Sequence, residues 1–424
     1  MRRPRSVRVG RAVAAAVALG AMATGGFYAC VFSSVSETDP NAQSSQAGPS
    51  SGAGPSTLDK RELLASLGEN VILPTLRDFA QAAAALESAT ASYAQSGSSD
   101  DRAAAQQAWR EAMSIWQRAE IMQVGPAGVM GDVSGGEDLR LQIYSYPLVN
   151  PCRVDQELVE GAYADTSAFS NELVNVRGLD AVEYLLFNDG QTNACAPQND
   201  INSTGSWNGI VGQLAERRAD YAASAAAILS SHADLLVRAW EPAEGDFLAE
   251  LAQAGNGSGT YASDQAALNA VSDALFYVDK ETKDMKLAVP AGLSDCIADS
   301  CPYALEHALS GFSKQAIIDN LEGVRMVFTG GPRGESKNLG FDDWLIAVGD
   351  PSLAIDMVDK LDAAVAAAEA IEHERLTDAL ADPADLERVR ALYHAVKAFT
   401  DILKADFITM LDLELPKAAE GDND

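Results

Sequence analysis

Histidine is scarce in this sequence: its 424 residues include four, His232, His307, His373 and His394. No two stand at zinc-protease spacing. His373-Glu374 begins like H-E-x-x-H, but Thr377 takes the place of the second histidine, which excludes the ordinary zincin arrangement. Basic residues are also short, 31 against 61 acids, giving a formal charge of -30 and an isoelectric point near 4.4. So acidic a chain repels phosphate backbones and makes nucleic acid a poor partner. Sustained β alternation is missing, and beyond the amino terminus no apolar run approaches the roughly 20 residues needed to span a bilayer. Gly330-Gly331-Pro332-Arg333-Gly334 lacks the Lys-Ser/Thr of a phosphate loop and reads as a turn. Aromatic residues make up 7%, yet hydrophobic residues reach 47%, far above a disordered composition. At roughly 100–200 residues per domain, the length gives room for two or three compact units.

The amino terminus reads as an address. Five arginines fall within residues 2–11 (Arg2, Arg3, Arg5, Arg8 and Arg11), followed by an uncharged, Ala- and Gly-rich stretch from Ala12 to Ala29. A basic segment followed by an apolar one is the pattern of a secretory signal, here residues 1–29. Phe27-Tyr28-Ala29-Cys30 resembles a bacterial lipobox, although Phe27 and Tyr28 are bulkier than its usual residues. Cysteine is sparse and odd in number, five in all. Assigning Cys30 to a lipid leaves Cys152, Cys195, Cys296 and Cys301, which in an exported protein suggests two disulfides. Of the three possible connectivities, Cys152–Cys195 with Cys296–Cys301 is expected, one bridge in each half. Residues 30–57, rich in Ser, Gly, Pro and Ala, read as a flexible tether.

Beyond the tether the periodicity is helical. Phe79, Leu86 and Tyr93 recur at seven, and Trp109, Met113 and Trp116 continue a 3.6-residue stripe. Ile210, Leu214, Tyr221, Ala225, Ile228, His232 and Leu235 mark a long helix. Val389, Leu392, Val396, Phe399, Leu403, Phe407 and Met410 mark another, started by the N-cap Asp382 and by Pro383. The expected fold is all-α: two helical bundles, each like a four-helix bundle, packed side by side. A long polar break from Asn188 to Gly209 divides them into 58–200 and 201–424.

Chemistry concentrates in Val176-Arg177-Gly178-Leu179-Asp180-Ala181-Val182-Glu183-Tyr184. Asp180 and Glu183 stand three apart, which on a helix places both carboxylates on one face. They could share a cation or act as an acid–base pair. The plainer expectation is that Arg177 pairs with Asp180 and Glu183 is solvated. Elsewhere, His307 precedes Ser310 and Ser313 by three and six residues, so a hydroxyl–imidazole pair is geometrically open, though no sequence signal supplies an oxyanion hole. Lys280, Lys283 and Lys286, with acids between them, read as a solvated helix end.

The segment Gly178-Leu179-Asp180-Ala181-Val182-Glu183 resembles the G-x-H-x-x-E motif of the imelysin family. Trp109-Arg110-Glu111-Ala112, Trp116-Gln117-Arg118-Ala119-Glu120 and Gly125-Pro126 resemble that family's tryptophan-rich helix. Ile143-Tyr144-Ser145-Tyr146-Pro147 resembles its Ile-x-x-Trp-Pro element, and Leu309-Ser310-Gly311-Phe312-Ser313 its paired-serine segment. The resemblance runs from about Leu63 onward. One departure stands out: Asp180 occupies the motif's histidine position, which favours harder cations and adds negative charge. The resemblance implies an envelope protein; with the signal and lipobox-like segments, the expectation is an exported protein, membrane-bound only through a lipid on Cys30 and facing the periplasm or cell surface. Its expected role is non-enzymatic: binding a metal ion or metal-bearing small ligand, with iron or another divalent cation as the group held, alongside envelope iron-uptake proteins. Asp180, Glu183 and Glu120 are the expected metal acids, with Arg177 orienting or neutralising one of them. A metallopeptidase and a metal-free envelope interaction protein are the competing classes. A catalytic metal needs about three protein ligands and an activated water, which the motif alone does not supply.

Overall fold

The computed structural model describes residues 58–148, 150–334, 338–417 and 419. The signal segment, Cys30 and the tether lie outside the described residues. Among those described, every regular element is helical, with only an isolated bridge between Met130 and Val133. This is the expected all-α class.

Four helices form the group that carries the motif. α1 (Leu73–Ser96) turns through Gly97 into α2 (Ser99–Ala119), whose N-cap Ser98 accepts from the Asp101 amide. α3 (Leu179–Phe187) carries the motif, and α4 (Leu214–Trp240) packs along α1 and against α3. Phe79, Leu86, Tyr93, Trp109, Met113 and Trp116 all face this core. The second group contains α5 (Ser313–Thr329), α6 (Pro351–Glu369), α7 (Pro383–Ile402) and an 11-residue π-helical segment, Val278–Ala288, packed on α5 and α7. Asp382 caps α7 as expected, accepting from the Ala384 and Asp385 amides. α4 lies after the polar break yet packs with α1, so the break at 188–209 does not separate the packing groups. The described residues all fall within one compact unit, Gly54–Asp424.

α5 meets α2 closely. A Cβ on Gly323 would lie 2.5 Å from the Arg118 carbonyl oxygen, so only glycine permits this approach. Both expected disulfides are present, Cys152–Cys195 and Cys296–Cys301.

Three expectations fail, two of them at π-helical turns. The stripe ending at Met410 crosses a π turn, Leu403–Phe407, whose i→i+5 bonding advances the register; Met410 is 38% exposed and Leu411 is buried instead. On α4, Leu235 points outward and Leu236 inward. The lysines read as a solvated helix end lie in the π segment Val278–Ala288, where Lys283 and Lys286 are buried. Each has carboxylates beside it: Asp279 and Asp284 for Lys283, Glu120 and Glu306 for Lys286. Buried ammonium groups require such partners.

Candidate functional site

The motif's glycine is dictated by the backbone. Gly178 has φ +91°, and a Cβ there would sit 2.7 Å from the Ile143 carbonyl oxygen. Helix α3 starts at the next residue. The Trp109 indole N–H donates to the Leu179 carbonyl at 2.8 Å, and the Tyr221 hydroxyl donates to that of Val176. Side chains of α2 and α4 therefore hold the start of α3 from both sides.

Asp180, in the first turn of α3, is buried. The Ser145 hydroxyl donates to one of its carboxylate oxygens and the Ala181 amide to the other, at 2.9 Å. Burial nevertheless dominates and pushes its pKa up from 3.8 to about 6. Glu183, one turn on, takes three donors from the segment before α5. His307 Nδ1 lies 2.6 Å from one oxygen, and the Ser310 amide and hydroxyl donate to the other at 3.1 and 2.8 Å.

His307 holds an unusual backbone position, φ +57°, a left-handed region that non-glycine residues seldom enter. Its Nε2 faces Gln117 Nε2 at 3.2 Å, the Tyr144 hydroxyl at 3.3 Å and Glu306 at 3.6 Å. Burial alone would lower the imidazole pKa, but the carboxylates of Glu306 and Glu183 outweigh it and raise it. Glu306 is also buried, which favours its neutral form, yet Lys286, His307 and the Tyr144 hydroxyl hold its pKa below the usual value.

In front of these groups opens a cleft of about 310 Å³, lined by Asp180, Glu183, Glu306 and His307 together with Tyr144, Tyr146, Tyr184 and Tyr303. Tyr303 and Leu309 stand exposed at it. Behind it, Lys286 lies between Glu306 and Glu120, whose carboxylate also accepts from the Tyr277 hydroxyl at 2.6 Å and from Arg140 at 3.1 Å.

The sequence expectations divide accordingly. Asp180 and Glu183 do share one cleft. Glu120 does not join them as a ligand; Lys286, Glu306 and His307 intervene. Arg177 orients neither acid, because its guanidinium donates to the Glu172 carbonyl at 3.0 Å and to Gln142 Oε1 at 2.6 Å. No hydroxyl–imidazole pair forms, since Ser310 donates to Glu183 and Ser313 to the Glu306 carbonyl. Among the described residues, no group of three or more His, Cys, Asp or Glu side chains is set to hold a metal ion. The donors already on Asp180 and Glu183, and the ammonium between Glu120 and Glu306, make the expected triad a poor fit for a resident metal. Glu306 and Lys286 were missed as site residues, and His307 and Ser310 were singled out only for a hydroxyl–imidazole pair. The adjacency of Glu306 and His307 to the paired serines was the available signal.

The comparisons agree with the residue-level likeness. A family model described as Imelysin (Peptidase_M75) matches residues 72–403. Two solved structures share the fold: an imelysin-like protein from Psychrobacter arcticum 273-4 and one named as an iron-regulated protein A precursor from Parabacteroides distasonis ATCC 8503. Each is 18% identical at a TM-score of 0.64, covering 84% of this chain, and 96% and 97% of their own chains respectively. No curated protein matches. With the motif glycine required by the backbone, both motif acids in one cleft and the family model spanning most of the helical body, the chain belongs to the imelysin family.

Proposed function

We propose that this protein is an exported, non-enzymatic binding component of the cell envelope that supports iron uptake, its cleft receiving a metal-bearing small ligand. The observation that carries this reading is the locked state of the cleft acids. Glu183 is held by three donors and Asp180 by two, so both carboxylates are fixed in place as parts of a recognition surface. Tyrosine hydroxyls and carboxylate edges suit a polar, cation-bearing guest. The name of the Parabacteroides relative supplies the link to iron, and its being a precursor supports export.

The family's description as a peptidase favours a second reading, a metallopeptidase using Glu183. One experiment separates the two. The purified protein and its Glu183→Gln variant are titrated calorimetrically with ferric ion alone and with ferric ion held by a small chelator, and a casein digest is run with and without EDTA. Saturable binding of the ferric chelate, weakened about tenfold or more in the variant with casein left intact, is the expected result. EDTA-sensitive cleavage abolished by Glu183→Gln would establish the peptidase instead.

A further inference from the structure

Lys286 is 2% exposed, on a π-helical segment behind the cleft. Its ammonium donates to Gln117 Oε1 at 2.7 Å and Asn320 Oδ1 at 2.9 Å, and lies 3.1 Å from Glu306 Oε2 and 3.5 Å from Glu120 Oε2. The rings of Tyr277 and Tyr146 stand 5.1 and 5.5 Å away, within cation–π range. Four oxygens from three separate stretches of chain, the end of α2, the segment before α5 and α5 itself, therefore converge on one buried positive charge.

The oxygens are themselves fixed. Asn320 donates to the Gln117 carbonyl and side-chain oxygens at 2.7 and 2.9 Å and accepts from Thr282 at 3.2 Å. Tyr277 and Arg140 secure Glu120, and the Tyr144 hydroxyl donates to Glu306 at 2.6 Å. Two carboxylates and two amide oxygens form an all-oxygen donor set, the kind hard divalent cations prefer. Buried carboxylates need compensating positive charge; Arg140 pairs with Glu120 and His307 lies beside Glu306, whereas Lys286 reaches both carboxylates at once.

We propose that the Lys286 ammonium is the resident cation of this site: a tethered positive charge filling an oxygen cage built by Glu120, Glu306, Gln117 and Asn320, whose removal turns the cage into a divalent-cation site. The lysine thereby does for this scaffold what a bound metal would do. It holds Glu306 in position, and Glu306 in turn faces His307 and Tyr144 at the cleft. A tethered charge cannot be stripped by a chelator, so the cleft keeps its geometry where free metal is scarce. The inference concerns the groups behind the cleft and stands or falls apart from the identity of the cleft's ligand.

The test is Lys286→Ala, melted in EDTA and in millimolar Mn²⁺ or Ca²⁺ at constant ionic strength, beside the wild type. The variant is expected to melt below the wild type in EDTA and to recover at least half of that loss with a divalent cation, while the wild type does not respond. A variant that responds to cations no more than the wild type overturns the proposal. Should Lys286→Ala not fold in EDTA, its refolding yield from denaturant reads the same quantity. A yield that rises with Mn²⁺ supports the cage, and one equally low in both buffers overturns it. Lys286→Ala with Glu306→Gln removes one cage carboxylate and should lose most of the cation response. An undiminished response would place the cation elsewhere and overturn the proposal.

Discussion

At the residue scale, two buried groups of opposite charge type make stability depend on pH in the same direction. The folded state raises the Asp180 pKa from 3.8 to about 6, so the stabilisation it gives is complete below pH 3.8 and is lost as pH rises through about 6. His307 is also raised, so its contribution is complete below 6.5 and fades as pH climbs past its folded value. Asp180→Asn keeps an acceptor for Ser145 but abolishes the titration. It is expected to match the wild type near pH 4 and to exceed it near pH 8 by up to about 3 kcal/mol, the free-energy equivalent of moving the carboxyl from 3.8 to about 6. Denaturant melts at the two pH values check this; an advantage of equal size at both would show that the buried carboxylate is not the cause. The same substitution leaves Glu183 and its three donors in place, so helix content should not change.

At the element scale, what could be read from the sequence was whatever depends on near neighbours. The cap on Pro383–Ile402 and the apolar stripes of α1 and α2 rest on spacing alone, and each is found in the structure; the cysteine pairing, chosen among three connectivities as one bridge in each half, is found too. Three-residue spacing likewise brought Asp180 and Glu183 to one cleft. The π segment defeated the same reasoning, because a 3.6-residue rule cannot foresee wider turns that bury Lys283 and Lys286. The partners of Glu183 were out of reach for another reason: His307 lies 124 residues away, and no local pattern encodes such a closure. The Cys152–Cys195 bridge spans 43 residues and joins the helix Pro151–Glu160 to the polar break. Beside it, Asp155 accepts from the Ala194 amide at 2.7 Å and from the Tyr184 hydroxyl at 2.9 Å, linking the bridge to the motif helix. Replacing both cysteines by serine should therefore destabilise the protein by about 2–4 kcal/mol. Peptide mapping of the unreduced wild type should find both bridges and no free thiol among these four. A double variant that melts with the wild type would remove the bridge from the account of how the motif helix is held.

At the scale of the whole molecule, the cleft is made only when the halves of the chain meet, Asp180 and Glu183 from one side and Glu306, His307 and Ser310 from the other. Among the described residues no helix is long and apolar enough to cross a bilayer, and a chain of formal charge -30 is repelled by anionic lipid. If the protein works at the envelope as proposed, attachment falls to the amino terminus, where Cys30 follows Phe27-Tyr28-Ala29. Cys30→Ser should accordingly shift the protein from the membrane fraction to the soluble envelope fraction, with melting temperature and ligand affinity unchanged because the body is untouched. Fractionation of cells expressing each form measures it, and identical partitioning of the two would refute lipid attachment at Cys30.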